Sequence, residues 1–313
     1  MILITGSLAF DQIMDFPGRF SDHIMPGKTH VLNVSFLVNE LRKSFGGTAG
    51  NIAYTLSLLG VRCSVMAVTG EDFDTYREFL EKNEVDTSLV KTVNNLFTST
   101  AFGITDKNDN QIWGFYSGAD MLSDHLSILD VDRKIDFGVI APQNPRAMIK
   151  YAREYQQLKI PYLFDPGMQL PWLSATDLRE AFKGARIIIG NDYEICLMEK
   201  KTQIANLRDL GKGDKIVIST LGEKGSRIFS AGKILEVRAA RVRSASDPAG
   251  AGDAFRAGFL AGFMREYPLQ ICGQMGAVAA AYTVEKYGTT THSFTSDEFC
   301  RRYKENFGEE IKL

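Results

Sequence analysis

Six short apolar runs recur along the chain: MILITG (1–6), CSVMAVTG (63–70), FGVIAP (137–142), PYLFDP (161–166), RIIIGN (186–191) and KIVISTLG (215–222). Between most of them lie stretches with helical spacing, AGNIAYTLSLLG (49–60), DTYREFLEKN (74–83), PRAMIKYAREYQQL (145–158) and ATDLREAFKG (175–184). A brief, unalternated apolar run suits a strand buried on both faces. Strand alternating with helix is the pattern of a parallel sheet with helices packed on either side. The expected class is therefore α/β, a mainly parallel central sheet flanked by helices in a Rossmann-like arrangement. Ligands bind such sheets beyond the carboxyl ends of the strands, and several of these runs end in glycine or polar residues: TGS (5–7), TGED (69–72), DPG (165–167), GND (190–192) and TLGEKG (220–225).

Residues 8–45 and 97–118 differ in character, showing alternation, aromatic and β-branched residues, and DKNDN (106–110) as a hairpin turn. They are expected to form a small β-sheet lid outside the main sheet. After Asp253 the pattern is helical to the end, apart from the break KYGTTTHSFT. No repeat or flexible linker interrupts the chain, which predicts one α/β domain over 1–313 with the lid inserted in it.

A formal net charge of −2 and a pI near 6.1 give no global basic field, so neither nucleic acid nor an anionic membrane is an expected partner. The start of the chain has no basic leader, and no window of about 18 apolar residues occurs; a cytoplasmic protein is expected. Cys63, Cys196, Cys272 and Cys300 form no CxxC pair, which suits buried thiols better than disulfides or zinc. The sequon at Asn33 is then a chance match.

Two phosphate motifs are imitated and fail. PGKT (26–29) lacks the leading glycine of a P-loop, since Asp22 stands there and no strand precedes it. GAGDAF lacks the third glycine of the dinucleotide pattern, since Phe255 takes its place. The stretch DPAGAGDAF (247–255) carries more. Gly250 and Gly252 let the backbone turn tightly and approach a ligand, and the helical pattern that follows begins with N–H groups lacking internal partners. That is an anion site backed by the helix dipole. Asp253 is either its N-cap or a carboxylate with chemistry to do.

DPAGAGDAFRAGF resembles the C-terminal motif of the ribokinase-like (PfkB) carbohydrate and nucleoside kinases, usually DTxGAGD, and FGGTAGNIAYTLSLLG (45–60) resembles their glycine-rich N-terminal motif. GNDYE (190–194) is similar to the family's N-x-x-E element and TLGEKG to its TxGxxG nucleotide turn. Pro248 departs from the family's threonine. The resemblance implies a ribokinase-like fold and an ATP- and Mg²⁺-dependent kinase. Asp253 would be the base that takes the proton of the attacking hydroxyl, and Gly250, Ala251 and Gly252 would cradle the transferring phosphoryl group. Asn191, Thr220, Gly222, Lys224 and Gly225 would hold ATP, although a capped helix start and a solvated turn fit the same residues. Glu194 would lie in the outer shell of Mg²⁺, and Asp247 would sit near a K⁺ site. GTTTHS (288–293) is expected to close over adenine, with His292 incidental.

On the acceptor side, Asp11, Gly47 and Asn51 match the family's sugar-binding positions, and two acceptors with an amide suit a vicinal diol. Phe102, Trp113, Phe115 and Tyr116 place aromatics in the lid, apt for stacking on a base; burial against the sheet or a second subunit fits them equally. The texture of GSLAFDQIMDFPGRF and SFLV is similar to bacterial adenosine kinases within the family. That implies Ser7, Asp11, Ser35, Gly47, Asn51 and Phe102 as nucleoside contacts, with Phe115 beside them, and purine salvage as the setting. Trp172 also follows a strand end facing the site. A sugar kinase, another nucleoside kinase, or a non-catalytic sensor of the same fold are the alternatives. The apolar VLNVSFLV (31–38) would be an awkward open edge, which predicts a homodimer through the lid.

Overall fold

In the computed structural model, residues 1–24, 27, 33–108 and 110–313 are described. In chain order the elements are β1 (Ile2–Thr5), β2 (Ala9–Asp15), β3 (Glu40–Gly46), α1 (Thr48–Leu58), β4 (Cys63–Thr69), α2 (Asp74–Lys82), β5 (Asp86–Thr92), β6 (Ser99–Thr105) and β7 (Gln111–Tyr116). There follow β8 (Phe137–Ile140), α3 (Pro145–Leu158), β9 (Tyr162–Phe164), α4 (Ala175–Gly184), β10 (Ile187–Asn191), α5 (Asp192–Thr202), β11 (Ile216–Thr220), β12 (Ser226–Ser230), β13 (Lys233–Val237), α6 (Ala251–Phe263), α7 (Leu269–Val284) and α8 (Ser296–Phe307).

The main sheet has nine strands in the order β13-β12-β11-β10-β9-β8-β1-β4-β5. Pairing is parallel from β5 to β11, and β12 and β13 add an antiparallel edge. All six apolar runs are strands of this sheet. In β1 the alternation sends Ile2 and Ile4 into a core with α1, α6, α7 and α8, and Leu3 into a second core with α3 and α4. Burying a side chain of this size contributes about 1.5–3 kcal/mol, so the two-sided burial of each strand fixes its place in the sheet.

The lid is a second sheet, ordered β3-β2-β6-β7, in which β2–β3 and β6–β7 are antiparallel and β2–β6 is parallel. Phe10 and Phe45 at its base pack on Tyr76 of α2, with the Phe45 and Tyr76 rings stacked 4.5 Å apart. The expected edge strand over 31–38 is not found where the chain is described. Residues 33–38 are irregular and β3 starts only at Glu40, with Phe36 held in an aromatic cluster with Phe16 and Phe20. Residues 31 and 32, most of the rejected PGKT and Asp109 of the hairpin turn lie outside the described residues.

Candidate active site

The turn expected to bind an anion is built as its glycines require. Gly250 has φ of +74°, a left-handed conformation that L side chains adopt only at a cost, and a methyl there would stand 2.9 Å from Thr289. Pro248, despite its missing N–H, contributes its carbonyl, which accepts from the Ala251 amide at 3.2 Å. The N-cap of α6 is Gly250, with no side-chain capping bond. Asp253 is therefore the third residue of the helix, and the N-cap alternative is overturned. Its Oδ2 instead accepts from Asn51 Nδ2 at 2.8 Å, which joins the N-terminal and C-terminal glycine motifs.

Asp11 on β2 lies against the backbone of Gly46, where a methyl would collide with its carboxylate. Gly47, φ +83°, caps α1, and any side chain there would strike Ser7 O at 2.5 Å. The Ser7 hydroxyl accepts from the Thr48 amide at 3.1 Å, so it fixes the start of α1. Asp11, Gly47, Asn51 and Asp253 thus share one region, whereas Ser35 is exposed in the irregular stretch before β3.

Strand register decides between the lid aromatics. Asp11 pairs with Ala101, and Ala101 with Phe115, while Phe102 pairs with Gln12 and Gly114. Successive residues of a strand face opposite ways, so Phe115 and Trp113 share the face of Asp11 and Phe102 is on the reverse face. The expectation that Phe102 and Asp11 flank one ligand within a chain is thereby corrected. Trp113 lies flat over Gly103, and its ring stacks with Phe115 at 5.9 Å.

Beyond the other side of the anion turn is a cavity of about 650 Å³. Val242 and Ala245 form one wall and Ala277 and Val284 of α7 another, with Thr220 and Gly225 contributing from the turn after β11. It ends at Ala251 and Gly252, and its size and apolar walls suit a nucleotide. Two expectations fail here. Residues 288–293 do not line the cavity; Thr289 and Thr290 instead donate to Phe45 O at 3.0 and 3.2 Å, tying that segment to the base of the lid. His292 is buried between Thr55 and Thr283 as a core residue. Lys224 also does not line the cavity; it is exposed on the tight turn whose Gly222 and Glu223 do.

Asn191 pairs in register with Thr220 and caps α5 in a reciprocal box with Glu194, so the capping reading holds for both. Asp247 accepts from Ala249 N and Gly288 N at 2.9 and 3.0 Å, linking the turn before α6 to the segment below the lid. Trp172 is 76% exposed at the end of the turn following β9.

Acidic groups crowd this site. Burial pushes the Asp253 carboxyl up to about 6 against the pull of Arg256 and the Asn51 hydrogen bond. Burial and then the charge of Asp247 push Asp11 to about 6, and Glu194 is raised by burial and by Asp165. Two members escaped the sequence reading: Asp165 at the end of β9 and Arg256 on α6, a buried ion pair. Asp165 was visible in the DPG strand end; Arg256 carries no sequence signal.

A helix start with unpaired amides, a carboxylate beside it, an adjoining cavity of about 650 Å³ and a polar region on the other side are an arrangement that suits phosphoryl transfer on a doubly covered α/β sheet. The chain belongs to the pfkB family of carbohydrate kinases, whose model matches residues 8–296. It is 32% identical over 317 residues to a nucleoside kinase of Methanothermobacter thermautotrophicus, covering 99% of this chain and 97% of that protein. Among solved structures it is similar to Burkholderia thailandensis nucleoside kinase in complex with inosine, with 32% identity, full coverage of both chains (100% each) and a TM-score of 0.89; that kinase is also known in complex with ADP-inosine. Ribokinase from Thermotoga maritima, 21% identical, matches with a TM-score of 0.81 over 98% of this chain and 99% of that one, and shows the fold as ribokinase-like.

Proposed function

We propose that this chain is an ATP-dependent kinase that transfers the γ-phosphoryl group to the 5'-hydroxyl of a nucleoside, with adenosine as acceptor and AMP as product, a purine-salvage reaction of the cytoplasm. The carrying observation is the Asn51–Asp253 hydrogen bond, which sets a carboxylate between the acceptor region and the free N–H groups of α6. Likeness to nucleoside kinases along the whole chain supports a nucleoside rather than a free sugar, and so do the paired rings of Trp113 and Phe115 on the acceptor face of the lid.

In this reading Asp11, Gly47 and Asn51 hold the ribose diol, and the base lies against Phe115 and Trp113. Asp253 takes the 5'-hydroxyl proton as its oxygen attacks phosphorus, and the amides of Gly252 and Asp253 meet the charge on the phosphoryl oxygens, the Ala251 amide being donated to Pro248 O. Thr220, Gly222 and Gly225 shape the nucleotide end. Magnesium ions in such sites are held largely by phosphates and water; Glu194 is the carboxylate assigned to the outer shell, and Asp247 marks the candidate potassium position. A second copy covering Leu41, Phe102 and Ile112 on the reverse face of the lid, which are 50%, 41% and 44% exposed, is the proposed dimer, read by sedimentation velocity.

Purified protein with ATP and Mg²⁺ is tested against adenosine, inosine, cytidine, ribose and fructose. Adenosine should give the highest kcat/KM. Preference for inosine or cytidine would retain the nucleoside reading and change its base, preference for a sugar would remove the nucleoside reading, and nucleoside binding without turnover would favour a sensor.

A further inference from the structure

Arg256 sits one helical turn beyond Asp253 and is 7% exposed. Its guanidinium pairs with Oδ2 of Asp165, itself 1% exposed, and a methyl on Gly252 would stand 2.7 Å from its Nη1. The side chain therefore runs back along α6 and lies against the glycine of the anion turn. A cation at a helix N-terminus opposes the dipole, and a buried guanidinium is costly unless matched by well-placed carboxylates. Asp165 just after β9, Asp253 of its own helix and Glu194 of α5 face it. Asp253 in turn is faced by Asn51 of α1, Asp11 of β2, Asp165 just after β9 and Arg256, and its charge reaches Tyr76 of α2. Of these neighbours Arg256 is the cation; the others are carboxylates or neutral. Oδ1 of Asp165 is buried without a hydrogen-bond partner among the described residues, so this carboxylate depends on Arg256 as well.

We infer that Arg256 is a positioning residue for the phosphoryl transfer assigned above: its guanidinium, paired with Asp165 and lying against Gly252 one helical turn from Asp253, keeps Asp253 ionised beside the anion turn. The inference rests on that assignment. It makes Asp165 a regulator of the base from a distance, because whatever charge Asp165 takes from Arg256 is withheld from Asp253.

The test is the acid limb of the kcat/KM profile, which reports the free enzyme's base. In Arg256→Gln the limb should move up by about one to three pH units, the usual effect of one close opposite charge, and Arg256→Lys should restore it toward the parent. In Asp165→Asn, with Arg256 left to Asp253 alone, the limb should move down. Displacements of opposite sign cannot come from general damage, which lowers turnover in both variants without moving the limb; unmoved limbs, or movement in the reverse sense, overturn the inference. If Arg256→Gln does not fold, Asp165→Asn decides alone. If no nucleoside is phosphorylated, the functional reading has failed separately, and the carboxyl ¹³C titration of Asp253, assigned with Asp253→Asn, is read for the same opposed shifts.

Discussion

Replacing Asp253 by Asn should remove activity and add stability, and the two effects come from the same burial. Asn keeps the shape and can still accept from Asn51 Nδ2 through its amide oxygen, but it cannot take a proton from a hydroxyl. Loss of a general base costs roughly 10²–10⁴ in kcat, with nucleoside affinity little changed. For stability, the folded carboxyl is at about 6 against an ordinary 3.8. The difference of about two units corresponds to about 3 kcal/mol, and since one side of Asp253 opens to the cleft, screening reduces this to about 1–2 kcal/mol. The sign follows from proton counting. Between the two values the native state holds a proton that the unfolded chain has released, so stability falls as pH rises from about 4 to about 6 and stays lowered above. The variant escapes that loss: it should be the more stable protein at pH 7.5, by roughly 1–2 °C in Tm per kcal/mol for a chain of this length, and should lose the advantage below pH 4. Arg256 is not stranded, because Asp165 and Glu194 still face it. Kinase assays and thermal melts at several pH values are the measurements. Comparable turnover would refute the assignment as base, and lower stability at pH 7.5 would refute the claim that burial of this charge is costly.

Gly250→Ala forces a left-handed alanine and a methyl against Thr289, and should cost about 1–3 kcal/mol by urea denaturation and, by shifting the α6 amides, roughly 10²-fold in kcat. Glu194→Gln retains a capping box, for which Gln serves as well as Glu, so melts should barely move while the Mg²⁺ needed for half-maximal rate rises; an unchanged Mg²⁺ requirement removes Glu194 from the metal's surroundings. Phe115→Ala should raise KM for nucleosides without altering any ribose turnover, whereas Phe102→Ala, on the reverse face, should leave the nucleoside KM of a monomer alone; equal effects would contradict the register argument. Parent kcat/KM should fall as pH drops through about 6, the position to which burial raises Asp253; a flat profile down to pH 5 would mean that the base lies elsewhere.

The strands that the sequence shows plainly are those buried on both faces, from MILITG to KIVISTLG. The remaining main-sheet strands, β5, β12 and β13, lie toward the sheet's edges, where DTSLVKT, SRIFS and KILEV need only partial apolar cover and look like ordinary polar chain. The turn after β12 shows the same limit: Ala231 and Gly232 both have positive φ, a hairpin geometry that the dipeptide Ala-Gly does not advertise. Site residues divide in a comparable way. Gly47, Gly250 and Asp253 were legible because backbone geometry and chemistry restrict which residue can stand there. Phe102 was misplaced because alternation fixes which residues share a face of one strand, but not which strands pair or in what register. One residue of slip sends every side chain to the other face, so only the pairing of Ala101 with both Asp11 and Phe115 could choose between the aromatics.

Arg256 was missed for a deeper reason. Next to Phe255 on a helix of small and apolar residues, an arginine would ordinarily be taken as the solvent-facing position. Its burial follows only from the tertiary packing that brings Asp165, just beyond β9, up to the start of α6, some ninety positions further along the chain. The same convergence puts Asp11, Asp165, Asp247, Asp253 and Glu194 within reach of each other's fields. Such crowding disfavours every ionised member, so a single buried cation among them redistributes the charge of the whole group. Gly252, one of the glycines assigned to the phosphate in the proposed reaction, also makes room for that cation, since a methyl there would stand 2.7 Å from Arg256 Nη1.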